Sequence, residues 1–253
     1  MHFLLNLLRR MGSFHVFLLD SFTTLLKKPL YLSEILHETS SITLQCLLPV
    51  AIVLTPFGMV VALQGFNIFK IFGTEYMVSG LTFISLVREL SPGVTSIMIA
   101  AQAGSSISAE LGAMRVKEEI DALEVMSIHS LKYLIIPKIL GLSFACVIVN
   151  MISLMCGILG GYIVAVVMKG QSSGVYWDNL FIFASWFDPL FCSLKAFLYG
   201  LIIASLSSYY GYNVQGGARE VGIAVNRSVV NSILAFIFLN YFLTTLFFNI
   251  VQL

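Results

Sequence analysis

"MVSGLTFISLVRELSPGVTSIMIAAQAGSSISAELGAMRVKEEIDALEVM", residues 77–126, decides how this chain is read. Its first part, 77–108, is almost wholly apolar or small and carries only Arg88 and Glu89 as charges. A bilayer core of ~30 Å needs roughly 20 residues of helix, so this run is long enough to cross and to spare. Pro92 should kink it, and its end should project into water. Its second part, 109–126, changes character: Glu110, Arg115, Lys117, Glu118, Glu119, Asp121 and Glu124 follow within fifteen positions. That density stands out in a chain of which 11% is charged.

The rest of the 253 residues agrees with a membrane setting. Hydrophobic content is 58%, against 14 Lys and Arg and 13 Asp and Glu, too few to solvate a soluble protein of this length. The net charge of +1 says nothing about partners. Cys46, Cys146, Cys156 and Cys192 lie in apolar segments without CxxC spacing and read as small fillers of helices. No HExxH, G-x-S-x-G or G-x-x-x-x-G-K-[ST] occurs, so protease, esterase and nucleotide-binding signatures are absent. The chain reads as a non-enzyme, with no cofactor, metal or nucleic acid expected.

Further crossings are expected at about 42–63, 133–168, 189–210 and 228–251, beside the one at 77–108. The third could hold one span with a projecting extension, or a tight hairpin at Gly160-Gly161. "QGFNIFKIFGTEYM" (64–77) reads as a short loop, and "KGQSSGVYWDNLFIFASWFD" (169–188), with both tryptophans, as an interfacial segment. Residues 1–29 form a separate unit. Leu4, Leu7, Leu8, Met11, Phe14, Leu18, Phe22 and Leu25 recur at helical steps, and Arg9, Arg10, His15 and Asp20 interrupt them. This is an amphipathic helix for the headgroup region, ended by Lys27, Lys28 and Pro29. The expected fold class is thus all-α integral membrane: five spans in one domain (30–253), an interfacial helix and a water-facing helix.

Charge sets the orientation. Arg9, Arg10, Lys27, Lys28, Arg115, Lys117, Lys132, Arg219 and Arg227 fall on one side, and only Lys70 and Lys169 on the other. The positive-inside rule places the first set, with the N-terminus, in the cytoplasm. The N-terminus lacks the pattern of a cleavable signal or a transit peptide.

The 109–126 stretch reads as one amphipathic helix. Val116, Ile120 and Leu123 share a stripe, and Arg115 with Glu119 and Lys117 with Asp121 stand at i,i+4. An ordinary solvated connector would need fewer residues; a docking surface for a soluble partner fits the length. Within the membrane, Arg88, Glu89 and Lys195 should face protein or a watery cavity, since an ionised group there costs at least ~2.5–3.5 kcal/mol. They read either as structural pairs or as residues lining or gating a substrate cavity, with a Glu89–Lys195 contact across a dimer cavity as one form. Ala196, Gly200, Ala204 and Ser208 form a small-residue ladder for helix packing, within a subunit or between two.

"ELGAMRVKEEIDALEVM" with "RELSPGVTSIMIAAQAGSSISAELG", and later "YYGYNVQGGAREVGIAVNRSVVNS", resembles the MlaE/YrbE-type permeases of MCE-associated lipid-transporting ABC transporters. The resemblance runs from about residue 40 to the C-terminus. It departs at "GGAREVG", where Arg219 and Glu220 stand in place of smaller or less charged residues. It implies a homodimer in a bacterial inner membrane with a cytoplasmic ABC ATPase on each copy. An MCE-domain lipid-binding protein on the outer side and a phospholipid substrate are implied with it. The 109–126 segment would then be the coupling helix, contacting the ATPase through its seven charged residues. Without the resemblance, a membrane scaffold docking a soluble partner, or an ion-coupled carrier using Glu89, stays open.

Overall fold

In hydrocarbon every backbone N–H and C=O must find its partner within the chain, and a helix satisfies them locally. The computed structural model accordingly contains helices and no strand among its described residues, 2–25 and 31–251; side chains of 2–11, 22, 25 and 247–251 are excepted. The helices are α1 (His2–Leu25), α2 (Leu32–Phe72), α3 (Glu75–Val116), α4 (Glu119–Val125) and α5 (Leu131–Met168), followed by α6 (Ser173–Phe183), α7 (Phe187–Tyr212) and α8 (Ala218–Val251). Five of them, α2, α3, α5, α7 and α8, are long and apolar enough to cross a membrane. The protein is an all-α, multi-pass membrane protein. The expected helix stop at Lys27, Lys28 and Pro29, and the side chains of Arg9 and Arg10, lie outside the described residues.

The helices outrun the expected spans. At 1.5 Å per residue the 41 residues of α2 extend ~61 Å. The segment 64–77 is not a loop: α2 continues through Lys70 and ends only where Gly73, at φ +67°, turns the chain left-handed. No hairpin forms at Gly160-Gly161 either, since α5 runs unbroken through both.

Those glycines have another use. α5 lies between α2 and α7, and α3 crosses all three. A Cβ on Gly58 would stand 1.9 Å from the Gly157 carbonyl oxygen, and one on Gly160 would stand 2.2 Å from that of Thr55. Helices α2 and α5 therefore touch backbone to backbone, which only hydrogen at these positions permits. On its other side α5 receives the ladder of α7, where a Cβ on Gly200 would meet Ser143 Cα at 2.8 Å. That ladder packs within one chain. Cys46, Cys146 and Cys192 are buried, and all four cysteines are unpaired.

Pro49 shows how a break in a helix is absorbed. Proline has no N–H, so the carbonyl four residues earlier, on Gln45, loses its partner. Gln102 of α3 reaches across and donates its Nε2–H to that oxygen at 3.0 Å. α1 lies along α7, with Phe14 and Phe17 edge-on to Tyr209. At the periphery, α8 turns Leu234, Phe238, Tyr241 and Phe242 outward.

Candidate functional site

Pro92 builds the more unusual site. α3 widens into a π-helical turn over Leu86–Leu90, immediately before Pro92. π-turns of this kind recur at functional positions. Pro92 leaves the Arg88 carbonyl without its intrahelical donor, and Lys195 Nζ of α7 donates to it at 2.8 Å. Lys195 is 1% exposed. Its other N–H groups reach Glu89 Oε1 at 3.0 Å and Thr244 Oγ1 at 2.8 Å. Glu89 also accepts from Thr244 Oγ1–H at 2.7 Å and, on Oε2, from Asn240 Nδ2–H at 3.0 Å. The Tyr199 hydroxyl closes the network by donating to Asn240 Oδ1 at 2.5 Å.

Arg88 does not pair with its neighbour Glu89. The wide turn sends it to Asp188, at the start of α7, with Nε 3.1 Å from Oδ1. Asp188 Oδ2 in turn accepts from the Ser185 N–H. A polar thread runs on from α3 through α5 to α7: Ser91 Oγ–H donates to Asn150 Oδ1 at 2.6 Å, and Asn150 Nδ2–H to Cys192 Sγ. Two cations and two anions thus balance within the helices, which offsets much of their desolvation. Of its four charged side chains Glu89 is the most open, 39% exposed against 24% for Arg88 and 1% for Lys195 and Asp188.

The Glu89–Lys195 contact forms inside one chain, between α3 and α7, so it does not need a second copy. Arg88, Glu89 and Lys195 are also absent from the walls of the half-open apolar cavity, of about 570 Å³, between α1, α5, α7 and α8. That cavity is walled by Phe14, Ile139, Phe197 and Leu201 among others.

The charged stretch folds differently from a single helix. α3 carries on to Val116, the chain breaks, and Glu118 takes up a left-handed conformation at φ +59° before α4 begins. The break replaces the expected i,i+4 pairs: Arg115 bonds Asp121 at 2.6 Å, and Lys117 stands 3.8 Å from Glu119. Glu124 turns back toward the bundle. Its Oε1 accepts from Ser130 at 2.8 Å and from the Tyr212 hydroxyl at 3.2 Å, while the Arg115 guanidinium lies 5.8 Å from the centre of the Tyr212 ring. Ile120 is buried, Leu123 half-buried and Val116 exposed, so the expected stripe is only partly used inward. Glu110 is internal to α3 and bonds Lys138 of α5 at 2.7 Å. Outward-facing are Lys117, Glu118 and Glu119, beside Val125 (86% exposed) and Met126 (61%).

A family model described as Permease MlaE matches residues 35–246. The chain belongs to the MlaE permease family. It is 35% identical over 246 residues to a probable ABC transporter permease protein of Rickettsia bellii, covering 97% of this chain and 95% of that one. It is 31% identical over 193 residues to the intermembrane phospholipid transport system permease protein MlaE of Haemophilus influenzae, covering 76% and 74%. A more distant match is the chloroplastic protein trigalactosyldiacylglycerol 1 of Arabidopsis thaliana, 30% identical over 195 residues and covering 55% of that chain.

Sequence reasoning missed several members of this MlaE-family permease's two polar clusters: Asp188, Tyr199, Asn240, Thr244, Lys138 and Glu38. Asn240 and Thr244 carried a signal, two polar residues at i,i+4 in an apolar helix. Asp188 seemed to belong to a boundary loop, and it is buried.

Proposed function

We propose that this chain is the membrane subunit of an ATP-driven phospholipid transporter. Two copies form a homodimer, and each holds a cytoplasmic ABC ATPase through the α4 loop. An MCE-domain protein on the outer side exchanges phospholipid or a related lipid with them. The N-terminus then lies in the cytoplasm, α1 along the inner headgroups and the whole in a bacterial inner membrane. The names of the relatives support this reading. The bracing of α4 carries it: a loop tied to α5 and α7 by Glu124, Ser130 and Tyr212 can pass a push into the bundle. Lys117, Glu118, Glu119, Val125 and Met126 are the surface offered to the ATPase. Asp121, 53% exposed, joins that surface, and Arg115 and Glu124 tie it to Tyr212.

Glu89 fits the same scheme. A carboxylate open on one side cannot face hydrocarbon without a cost of several kcal/mol. Its open side therefore belongs to the space between two copies, where Arg88, Glu89 and Lys195 border the lipid path and control its width.

Native mass spectrometry of the chain expressed with its chromosomal neighbours tests the assembly. Two copies with two ATPases and phospholipid-sized extra mass are expected; a lone chain without ATPase overturns the reading. Val125→Asp with Met126→Asp is expected to weaken ATPase retention by at least about tenfold, since each buries an unpaired charge on docking. Both side chains are exposed in the free chain, so its own folding should be unaffected.

A further inference from the structure

Lys138 sits in the first turn of the regular part of α5, 4% exposed. Its ammonium holds two carboxylates from two other helices, Glu38 of α2 at 2.9 Å and Glu110 of α3 at 2.7 Å. The three together carry one net negative charge. The carboxylates repel each other and stay close only because the ammonium lies between them. Gly141, just beyond Lys138 on α5, marks how tight the place is: a Cβ there would come within 2.8 Å of Glu38 Cβ and 3.2 Å of the Thr39 nitrogen. The ammonium is thus set where α2 and α5 already touch, and Glu110 lies between that contact and the loop that ends α3.

Two charged routes lead from α4 into the bundle, beside the packing of the buried Ile120 and the Gln102–Gln45 bond between α3 and α2. One runs through Glu124 to Ser130 and Tyr212, hence to α5 and α7. The other runs back along α3 to Glu110, through Lys138, to α2. The second is the sole side-chain ion link between α3 and α2 among the described residues. We propose that Lys138, with Glu38 and Glu110, is the linkage that makes α2 follow the α4 loop. These are positioning residues for transport: Glu110, with a side chain 53% exposed, acts through its bond to the buried Lys138 and not as a contact for the ATPase. The proposal rests on the reading that an ATPase pushes on α4.

The charges predict a ranking. Glu38→Gln or Glu110→Gln leaves Lys138 one carboxylate and a neutral pair. Lys138→Met leaves two carboxylates facing each other, so it is the severest of the three, and Lys138→Arg restores the link. The test uses the chain with its ATPase in proteoliposomes, measuring ATP hydrolysed and phospholipid moved. Lys138→Met is expected to assemble and hydrolyse ATP near the wild-type rate, while phospholipid moved per ATP falls about 2- to 30-fold. Lys138→Arg is expected to recover most of that ratio.

A second readout uses spin labels at Leu36→Cys on α2 and Ile128→Cys beyond α4, both exposed positions outside the surface offered to the ATPase, with the four native cysteines replaced. Vanadate trapping should leave the interlabel distance unchanged in the wild type and shift or broaden it in Lys138→Met. Wild-type ratio and distance in Lys138→Met would overturn the proposal. So would failure of both Lys138→Met and Lys138→Arg to assemble, which would make the cluster merely structural. If the wild type itself moves no phospholipid with ATP, the transporter reading falls, and the linkage is then judged on the purified chain alone. There Lys138→Met must still broaden the distance, and an unchanged distance would end it.

Discussion

Gly58→Leu is expected to leave little folded protein. The α2–α5 contact is made by main-chain atoms, and the atom nearest an added Cβ is a carbonyl oxygen at 1.9 Å, which has no rotamer to yield with. The helices must separate instead, opening the facing contacts at Thr55–Gly160 and Leu54–Gly157 along with it. Overpacking of an interior ordinarily costs 1–3 kcal/mol; with backbone on both sides, about 3 kcal/mol or more is expected here. Size-exclusion recovery and thermal unfolding in detergent measure it, and Gly160→Leu should behave alike. Gly93→Ala is the control, because nothing lies within 4 Å of its missing Cβ. A helical glycine replaced by alanine there should be neutral or stabilising by up to about 1 kcal/mol.

Lys195→Met is expected to have the next largest effect, because one ammonium serves three groups. Its loss strips the Arg88 carbonyl of its donor, leaves Glu89 an uncompensated anion and removes a partner of Thr244. Removing one member of a fully buried pair costs about 3–5 kcal/mol; with Glu89 39% exposed and partly solvated, about 1–3 kcal/mol is expected. Glu89→Gln should be milder, since its amide can still meet Asn240 and Thr244. The double variant Glu89→Gln, Lys195→Met should recover part of the stability lost in Lys195→Met alone, because no unpaired anion then remains. Unfolding midpoints of the four proteins form the cycle. Additive losses would show that the two side chains do not interact. Transport should fall in both single variants if the cluster controls the lipid path.

Why some of this was legible in the sequence and some not has a physical basis. Crossing a bilayer demands long apolar runs, so the five spans stood out. Their ends did not, because a helix continues into water as long as nothing stops it, as α2 does past Lys70 to Gly73. Charges inside the membrane announce themselves by cost, which marked Arg88, Glu89 and Lys195. Their partners depend on how helices are rotated against one another. Asp188 was hidden by its place at a span boundary, and Lys138 by the need to know that α2 and α5 meet at Glu38. The left-handed Glu118 had no local signal, since glycine or asparagine is the usual occupant of that conformation. With that break unforeseen, the i,i+4 pairs expected within 109–126 could not be right.

Two of the interior prolines, Pro49 and Pro92, also bear on the order in which this protein can be made. The Gln45 carbonyl freed by Pro49 waits for Gln102, 57 residues on, and that wait ends as soon as α3 enters the membrane beside α2. The Arg88 carbonyl freed by Pro92 waits 107 residues, for Lys195. Until α7 emerges from the ribosome, a nascent chain holding α1 to α5 carries Glu89 without Lys195, Asn240 or Thr244, and the Arg88 carbonyl without Lys195. Such an intermediate needs shelter at the translocon, and a transcript truncated before residue 187 should yield a product that quality-control proteases remove. The lysine that closes this cluster therefore also marks the point at which synthesis has supplied the pairing that α3 needs.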